Sequence, residues 1–154
     1  IYGIGKLVIW SKKIDPNQKQ LNSLLDPAIS KIAIANPEHA PYGKRAVESL
    51  NYYKIYDNVK DKLVFGENIA QTAQFVTTGS ADIGIIALSL ALSPTMQQLG
   101  GKYYLIPEKS HQLLEQGYVI LKHGESNQLA KKFYDFAASK AAIAILSKYG
   151  FTQK

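Results

Sequence analysis

Two turns carry the residues of this sequence whose types and spacing suit ligand binding. In the first, at residues 36–43, an apolar run breaks at Asn36 and a helix is predicted to begin at Pro41. Proline suits a first helical turn because its missing N–H would have no partner there. The backbone N–H groups of Tyr42 and Gly43 are then left free at a helix N-terminus, whose partial positive charge favours an anion.

The second turn, residues 66–69, has the same design. Asn68 is a predicted N-cap, and a helix is predicted from Ile69 to about residue 78. Both turns follow predicted strands, which is where ligands collect in open α/β sheets. If the two helices converge, the N–H groups of Tyr42 and Ile69 can bind one small oxyanion through charge-assisted hydrogen bonds, without any lysine or arginine. The competing interpretation is that both turns are purely structural, as most strand-to-helix turns are.

The sequence offers no pattern typical of a metal site or of catalysis. His39, His111 and His123 are far apart and lack the spacing of metal ligands. We expect His39 to brace its turn, and we expect Glu38 and Glu67 to point away from a bound anion or to cap backbone groups, because a carboxylate repels an anion. Ser89 and Ser93 have no histidine neighbour in the sequence, and there is no phosphate-binding glycine motif. We therefore predict that the protein is not an enzyme.

The elements that must position the two turns alternate along the chain. Strands are predicted at residues 5–11, 29–35, 63–66, 81–87, 103–106 and 117–121. Helices are predicted at residues 18–25, from 41 to about 53, 69–78, 94–99, 127–138 and 139–150, the last of them burying Ala142, Ile145 and Leu146. Residues 55–62 are predicted as a short helix or a turn. This alternation predicts an α/β fold with a mostly parallel sheet and flanking helices.

Composition excludes several classes of protein. An apolar share of 46% suits a globular core, and no cysteine is present for disulfides or thiol chemistry. The net charge of +6 comes from scattered lysines, which is typical of solvated helix faces and not of a nucleic-acid surface. No apolar run approaches the length of a transmembrane helix. The chain begins at Ile1 without a methionine or a visible signal peptide, so we expect a processed or truncated chain.

Four segments, in this order, resemble one family. They are residues 36–43 (NPEHAPYG), 66–73 (GENIAQTA), 79–86 (GSADIGII) and 148–151 (KYGF). Together they are similar to the periplasmic molybdate-binding proteins of ABC importers, over essentially the whole chain. The resemblance implies a two-lobed, type II periplasmic-binding fold that holds molybdate or tungstate between its lobes. It also implies binding by hydroxyl and backbone N–H groups, with no cofactor and no metal-ligating side chain.

The resemblance also implies candidate contacts. The N–H groups of Tyr42 and Ile69 would touch the anion, and Gly43, Asn68 and Ala87 complete the candidate set. Many members have a tyrosine where this sequence has Ala87, and alanine has no hydroxyl to offer, so that contact is a departure from the family pattern.

The resemblance divides the chain into three segments. Residues 1–11 would be a crossover strand from a first lobe that is missing here, residues 12–116 the second lobe, and residues 117–154 a return segment belonging to the first lobe. The return segment would then leave apolar surface uncovered, so we expect a dimer, a swapped arrangement or a missing N-terminal piece.

The implied partners are a small oxyanion and the membrane permease of an ABC importer, with no nucleic acid. The protein would be periplasmic or extracytoplasmic, at most peripheral to a membrane, and its parent chain could be a membrane-anchored lipoprotein. The alternative is an effector-sensing domain of a transcription regulator with the same fold.

Overall fold

The computed structural model describes residues 1–154 and builds them into one large sheet, one short ribbon and flanking helices. The strands are β1 (Gly3–Gly5), β2 (Leu7–Ser11), β3 (Ile32–Ala35), β4 (Leu63–Gly66), β5 (Ile83–Ala87), β6 (Lys102–Leu105) and β7 (Leu114–Gln116). The α-helices are α1 (Pro16–Lys19), α2 (Pro41–Tyr52), α3 (Tyr56–Val59), α4 (Ile69–Thr77), α5 (Leu88–Ala91), α6 (Pro94–Gln98), α7 (Gln128–Ala137) and α8 (Lys140–Lys148). Short 3₁₀ segments lie at Gln20–Leu25, Lys60–Lys62, Glu108–Ser110 and Lys122–Gly124.

The large sheet has the strand order β4-β3-β5-β2-β6. β3 is parallel to β4 and to β5, whereas β2 is antiparallel to both of its neighbours, β5 and β6. Four of the five strands therefore share one direction, and the predicted α/β architecture is confirmed with β2 as the single reversed strand. β2 is buried along its whole length, and a continuous apolar run of this kind is typical of a strand that is covered on both faces.

Helices cover both faces of this sheet. Alternate strand residues point to opposite faces. Leu7, Ile32 and Ile83 lie in one hydrophobic cluster with residues of α2, and Val8 and Ala33 lie in a second cluster with residues of α4. Helices α2 and α4, which follow the two candidate turns, thus flank the sheet from opposite sides.

The segment predicted as one strand over residues 5–11 is divided between two sheets. β1 forms an antiparallel two-stranded ribbon with β7, pairing Gly3 with Gln116 and Gly5 with Leu114, and β2 then enters the large sheet after Lys6. An isolated bridge joins Ile4 to Thr152 near the C-terminus. The ribbon therefore connects the body built on the large sheet to the C-terminal segment.

Two predictions for the C-terminal segment are wrong. Residues 117–121 form no strand, and the strand of this region is β7 instead. Val119 is 76% exposed and pairs with no strand; β1 pairs with β7 and is bridged to Thr152 instead. In α8, Ala142 is buried as expected, but Ile145 is 55% exposed and Leu146 only half-buried, since nothing in this chain covers that side of the helix.

Val119 and Ile145 belong to a continuous exposed face, which we call the C-terminal apolar surface. It consists of Tyr118, Val119, Leu121, Leu129, Phe133, Phe136 and Ile145. The side of α7 that carries Leu129 and Phe133 faces solvent here, although helices of this pattern normally bury such a stripe. The expectation of uncovered apolar surface over residues 117–154 is confirmed. None of the helices has both the length and the apolarity that crossing a bilayer requires.

Candidate anion-binding site

The first turn is held by its own backbone and leaves two donors free. β3 ends at Ala35, and the carbonyl of Asn36 accepts the N–H of Ala40 at 2.8 Å. Pro41 occupies the first turn of α2, as predicted, and the first helical hydrogen bond runs from Lys44 N–H to the Ala40 carbonyl at 3.1 Å. The N–H groups of Tyr42 and Gly43 have no acceptor within the protein.

Gly43 allows the start of α2 to lie directly on the end of β3. A Cβ at this position would stand 2.7 Å from the carbonyl carbon of Ala35 and 3.0 Å from that of Asn36, both backbone atoms. Such contacts are too short for any other residue. The free N–H groups of this turn are therefore held beside the carboxyl end of β3.

Two reciprocal side-chain hydrogen bonds cap the start of α4 in the second turn. The Asn68 side chain accepts the N–H of Gln71 at 2.9 Å, which confirms Asn68 as the N-cap of α4. In return the Gln71 side chain accepts the N–H of Glu67 at 2.7 Å. The N–H groups of Ile69 and Ala70 have no acceptor within the protein. The role of Gln71 was missed from sequence, although its spacing from Asn68 is that of a capping box.

The two turns are direct neighbours. β3 and β4 are adjacent and parallel, with Ala35 opposite Gly66, and the N–H of Asn36 donates to the Gly66 carbonyl at 2.8 Å. Helices that leave adjacent parallel strands toward opposite faces of a sheet bound a crevice at the strand ends. The four free N–H groups, from Tyr42, Gly43, Ile69 and Ala70, therefore belong to the two helix starts at this crevice.

His39 bridges the two turns. Its Nε2 lies 3.0 Å from the Glu67 carbonyl oxygen and 3.3 Å from the Glu67 carboxylate. The prediction that this histidine braces its turn is confirmed, and its partner belongs to the other turn, 28 residues later in the chain. His111 instead contacts the carbonyl oxygen of Gln112 at 2.7 Å. No group of three or more histidine or carboxylate side chains is arranged to hold a metal ion.

Ala87 lies at the same carboxyl end of the sheet as the two turns, but its side chain has no hydrogen-bond donor. It ends β5, the other neighbour of β3, and is 2% exposed. The next amide, that of Leu88, is already bonded to the Lys6 carbonyl at 2.8 Å. An anion contact at Ala87 stays a prediction.

The Tyr42 side chain connects the first turn to the ribbon. Its hydroxyl lies against Gly5, where β1 pairs with β7. Burial, with a further contribution from Tyr2, raises the pKa of Tyr42 to about 12. The hydroxyl is therefore protonated at neutral pH and places no negative charge near the free N–H groups.

Comparisons with known proteins agree on one family. The family of bacterial extracellular solute-binding proteins matches residues 1–152. The molybdate-binding protein ModA of Rhodobacter capsulatus is 34% identical over 151 residues, which is 97% of this chain and 58% of that protein. ModA of Azotobacter vinelandii is 36% identical over 150 residues, 97% of this chain and 59% of that protein.

Comparison with solved structures agrees with the sequence comparisons. The solved structure of the Azotobacter vinelandii periplasmic molybdate-binding protein matches 99% of this chain and 67% of that chain, with a TM-score of 0.86 and 26% identity. The predicted periplasmic-binding fold is therefore confirmed. The chain spans somewhat less than three fifths of the length of the two curated relatives.

Proposed function

The chain belongs to the bacterial extracellular solute-binding proteins, and from that premise we propose that it captures molybdate for an ABC importer. Tungstate, a dianion of the same shape and charge, is the second ligand that we propose. Relatives named as molybdate-binding proteins, at 34% and 36% identity, support this assignment.

The observation that carries the proposal is the pair of adjacent helix starts with four free N–H groups. Each hydrogen bond to a charged group contributes about 1.5–3 kcal/mol net. Helix N-termini add a favourable field for an anion. Tyr42 and Ile69 are the proposed principal contacts, with Gly43 and Asn68 beside them and Ala87 at the edge of the site.

We propose that this chain supplies one side of the binding cleft. Residues 12–116 would form one lobe, and residues 1–11 and 117–154 would link it to a first lobe. The C-terminal apolar surface supports this division, because a surface of this kind is normally covered. The remaining length of the curated relatives is sufficient for a lobe that covers it. Alternatively, a dimer or a swapped arrangement would cover the C-terminal apolar surface.

The proposed partner is the membrane permease of the importer, and the proposed location is periplasmic or extracytoplasmic. One relative, from Bacillus subtilis, is named as a putative substrate-binding lipoprotein and is 33% identical over 125 residues. We propose no catalytic activity and no cofactor. The alternative, an effector-sensing domain of a transcription regulator, is less well supported because two relatives above 30% identity are named as molybdate-binding proteins and a third as a putative ABC transporter substrate-binding lipoprotein.

The test is a thermal melt of the purified protein with sodium molybdate, sodium tungstate or sodium sulfate. A ligand present at about 100 times its dissociation constant stabilises the native state by roughly 2.7 kcal/mol. We expect molybdate and tungstate to raise the melting temperature by several degrees. No rise with either anion at millimolar concentration would contradict the proposal. Residues 1–154 expressed alone should bind molybdate more weakly than the protein as its gene encodes it, and equal affinities would contradict the one-sided cleft.

A further inference from the structure

His39 makes the one side-chain hydrogen bond that joins the two candidate turns. Its ring belongs to the first turn, and its Nε2 lies 3.0 Å from the backbone carbonyl oxygen of Glu67 in the second. The other direct link between the turns is the backbone bond from Asn36 to Gly66 at the strand ends. His39 therefore makes its contact beyond the sheet, between the strand ends and the helix starts that carry the free N–H groups.

The position of this contact bears on the distance between the two helix starts. Within the first turn, the N–H groups of Glu38 and Ala40 donate only to Asn36, so His39 makes the one hydrogen bond between residues 37–40 and the second turn. A dianion that bonds N–H groups from both helix starts needs a fixed distance between them, since a loosely held site loses affinity. We infer that His39 is a positioning residue for anion capture, which acts by tying the first turn to the Glu67 carbonyl. This inference rests on the proposed function.

The contact with the carbonyl, and not the one with the carboxylate, carries this role. The side chains of His39 and Glu67 are 50% and 72% exposed, and an ion pair between such exposed groups contributes little. The carbonyl belongs to the backbone of the second turn, so a bond to it fixes the turn itself. Removal of the Glu67 charge should therefore leave the tie intact.

The first experiment measures molybdate binding by titration calorimetry for the wild type and three variants. We expect His39→Ala to raise the dissociation constant by about three- to tenfold, the cost of one hydrogen bond. His39→Gln, whose amide N–H₂ can reach the same carbonyl, should recover at least half of that loss on a logarithmic scale. Glu67→Gln should bind at least as tightly as the wild type.

The matched control is Asp57→Asn. Asp57 makes an exposed contact of 3.3 Å with Lys60, before the amino end of β4 and away from both turns. The Asp57→Asn substitution should leave molybdate affinity unchanged. Equal affinity of His39→Ala and the wild type would overturn the inference, as would a loss in Glu67→Gln as large as that in His39→Ala.

A second experiment needs no ligand and separates this inference from the proposed function. Hydrogen exchange of the protein without molybdate should show faster exchange of the Gln71 and Thr72 amides in His39→Ala, by about three- to tenfold. Both amides are bonded to Asn68 in the second turn. Unchanged exchange there would overturn the tie. A wild type that binds neither molybdate nor tungstate, together with faster exchange in His39→Ala, would overturn the proposed function and leave the tie supported.

Discussion

Substitution of Gly43 by alanine should weaken both the fold and anion binding, because it moves the start of α2. The added methyl group would stand 2.7 Å from the carbonyl carbon of Ala35, whereas ordinary contacts begin near 3.4 Å. The start of α2 must therefore withdraw from β3 by about 0.7 Å or more, because the opposing atoms are backbone and cannot rotate away. This movement displaces the free N–H groups of Tyr42 and Gly43 together.

The expected magnitudes follow from that movement. Overpacking of this kind costs about 1–3 kcal/mol of stability. For a chain of this size the melting temperature should fall by roughly 2–12 °C. If the displacement removes the equivalent of one charge-assisted hydrogen bond, molybdate affinity should fall by about ten- to a hundredfold.

The assay is titration calorimetry with sodium molybdate beside a thermal melt, with Gly79→Ala as the control. Gly79 follows α4 at the end away from the second turn, has a φ of +80°, and has open space where a Cβ would point. Alanine there costs about 1 kcal/mol through backbone strain and meets no atom. We expect Gly79→Ala to lose stability and keep its affinity. Equal molybdate affinities in the two variants and the wild type would refute a site presented by the first turn of α2.

Three further substitutions test other parts of the structure. Asn68→Asp retains the N-cap but adds a negative charge beside the free N–H groups, so the melting temperature should hold while molybdate affinity falls about three- to tenfold at low salt; unchanged affinity would place the anion elsewhere. Burial raises the pKa of Asp82, but hydrogen bonds from the Ser30 amide, the Lys13 ammonium and the Lys31 amide outweigh it and lower the pKa below its ordinary value of 3.8. The carboxylate therefore stabilises the fold above about pH 4 and loses this effect as the pH falls, so Asp82→Asn should cost about 1–3 kcal/mol in urea unfolding at pH 7 and less at pH 3; equal costs would contradict this. Phe133→Ser should lower the melting temperature of the protein as its gene encodes it by several degrees if another lobe covers the C-terminal apolar surface, and should leave that of residues 1–154 alone nearly unchanged.

Local chemistry made the two turns predictable. Pro41 begins α2 and Asn68 caps α4 because each rule depends only on residues within one helical turn. The alternation of strands and helices was enough to predict the α/β class, and the bracing role of His39 followed from its place in a loop. The hydrogen-bond partner of His39 could not be predicted in this way, because Glu67 is 28 residues away and becomes a neighbour only when β3 pairs with β4.

Pairing partners explain the failures. Sequence patterns describe how apolar a segment is, but they do not say which strand lies beside it. The segment of residues 5–11 was therefore predicted as one strand, although Lys6 divides it between two sheets. Apolar residues at 117–121 suggested a strand, and Ile145 suggested burial, because the sequence does not distinguish a surface covered within the chain from one left open by it.

The proposed site is built from peptide groups, and this has a consequence for tolerance to mutation. Every residue except proline has a backbone N–H, so replacement of Ile69 by another non-proline residue keeps the donor itself. The positions that cannot change are those that shape the path of the chain, such as Gly43 against Ala35 and Gly66, whose Cβ would lie 2.8 Å from the Thr72 nitrogen. A saturation library selected for growth on scarce molybdenum should therefore be permissive at Ile69, whose amide is a proposed contact, and intolerant at Gly43 and Gly66, where any Cβ would meet backbone atoms.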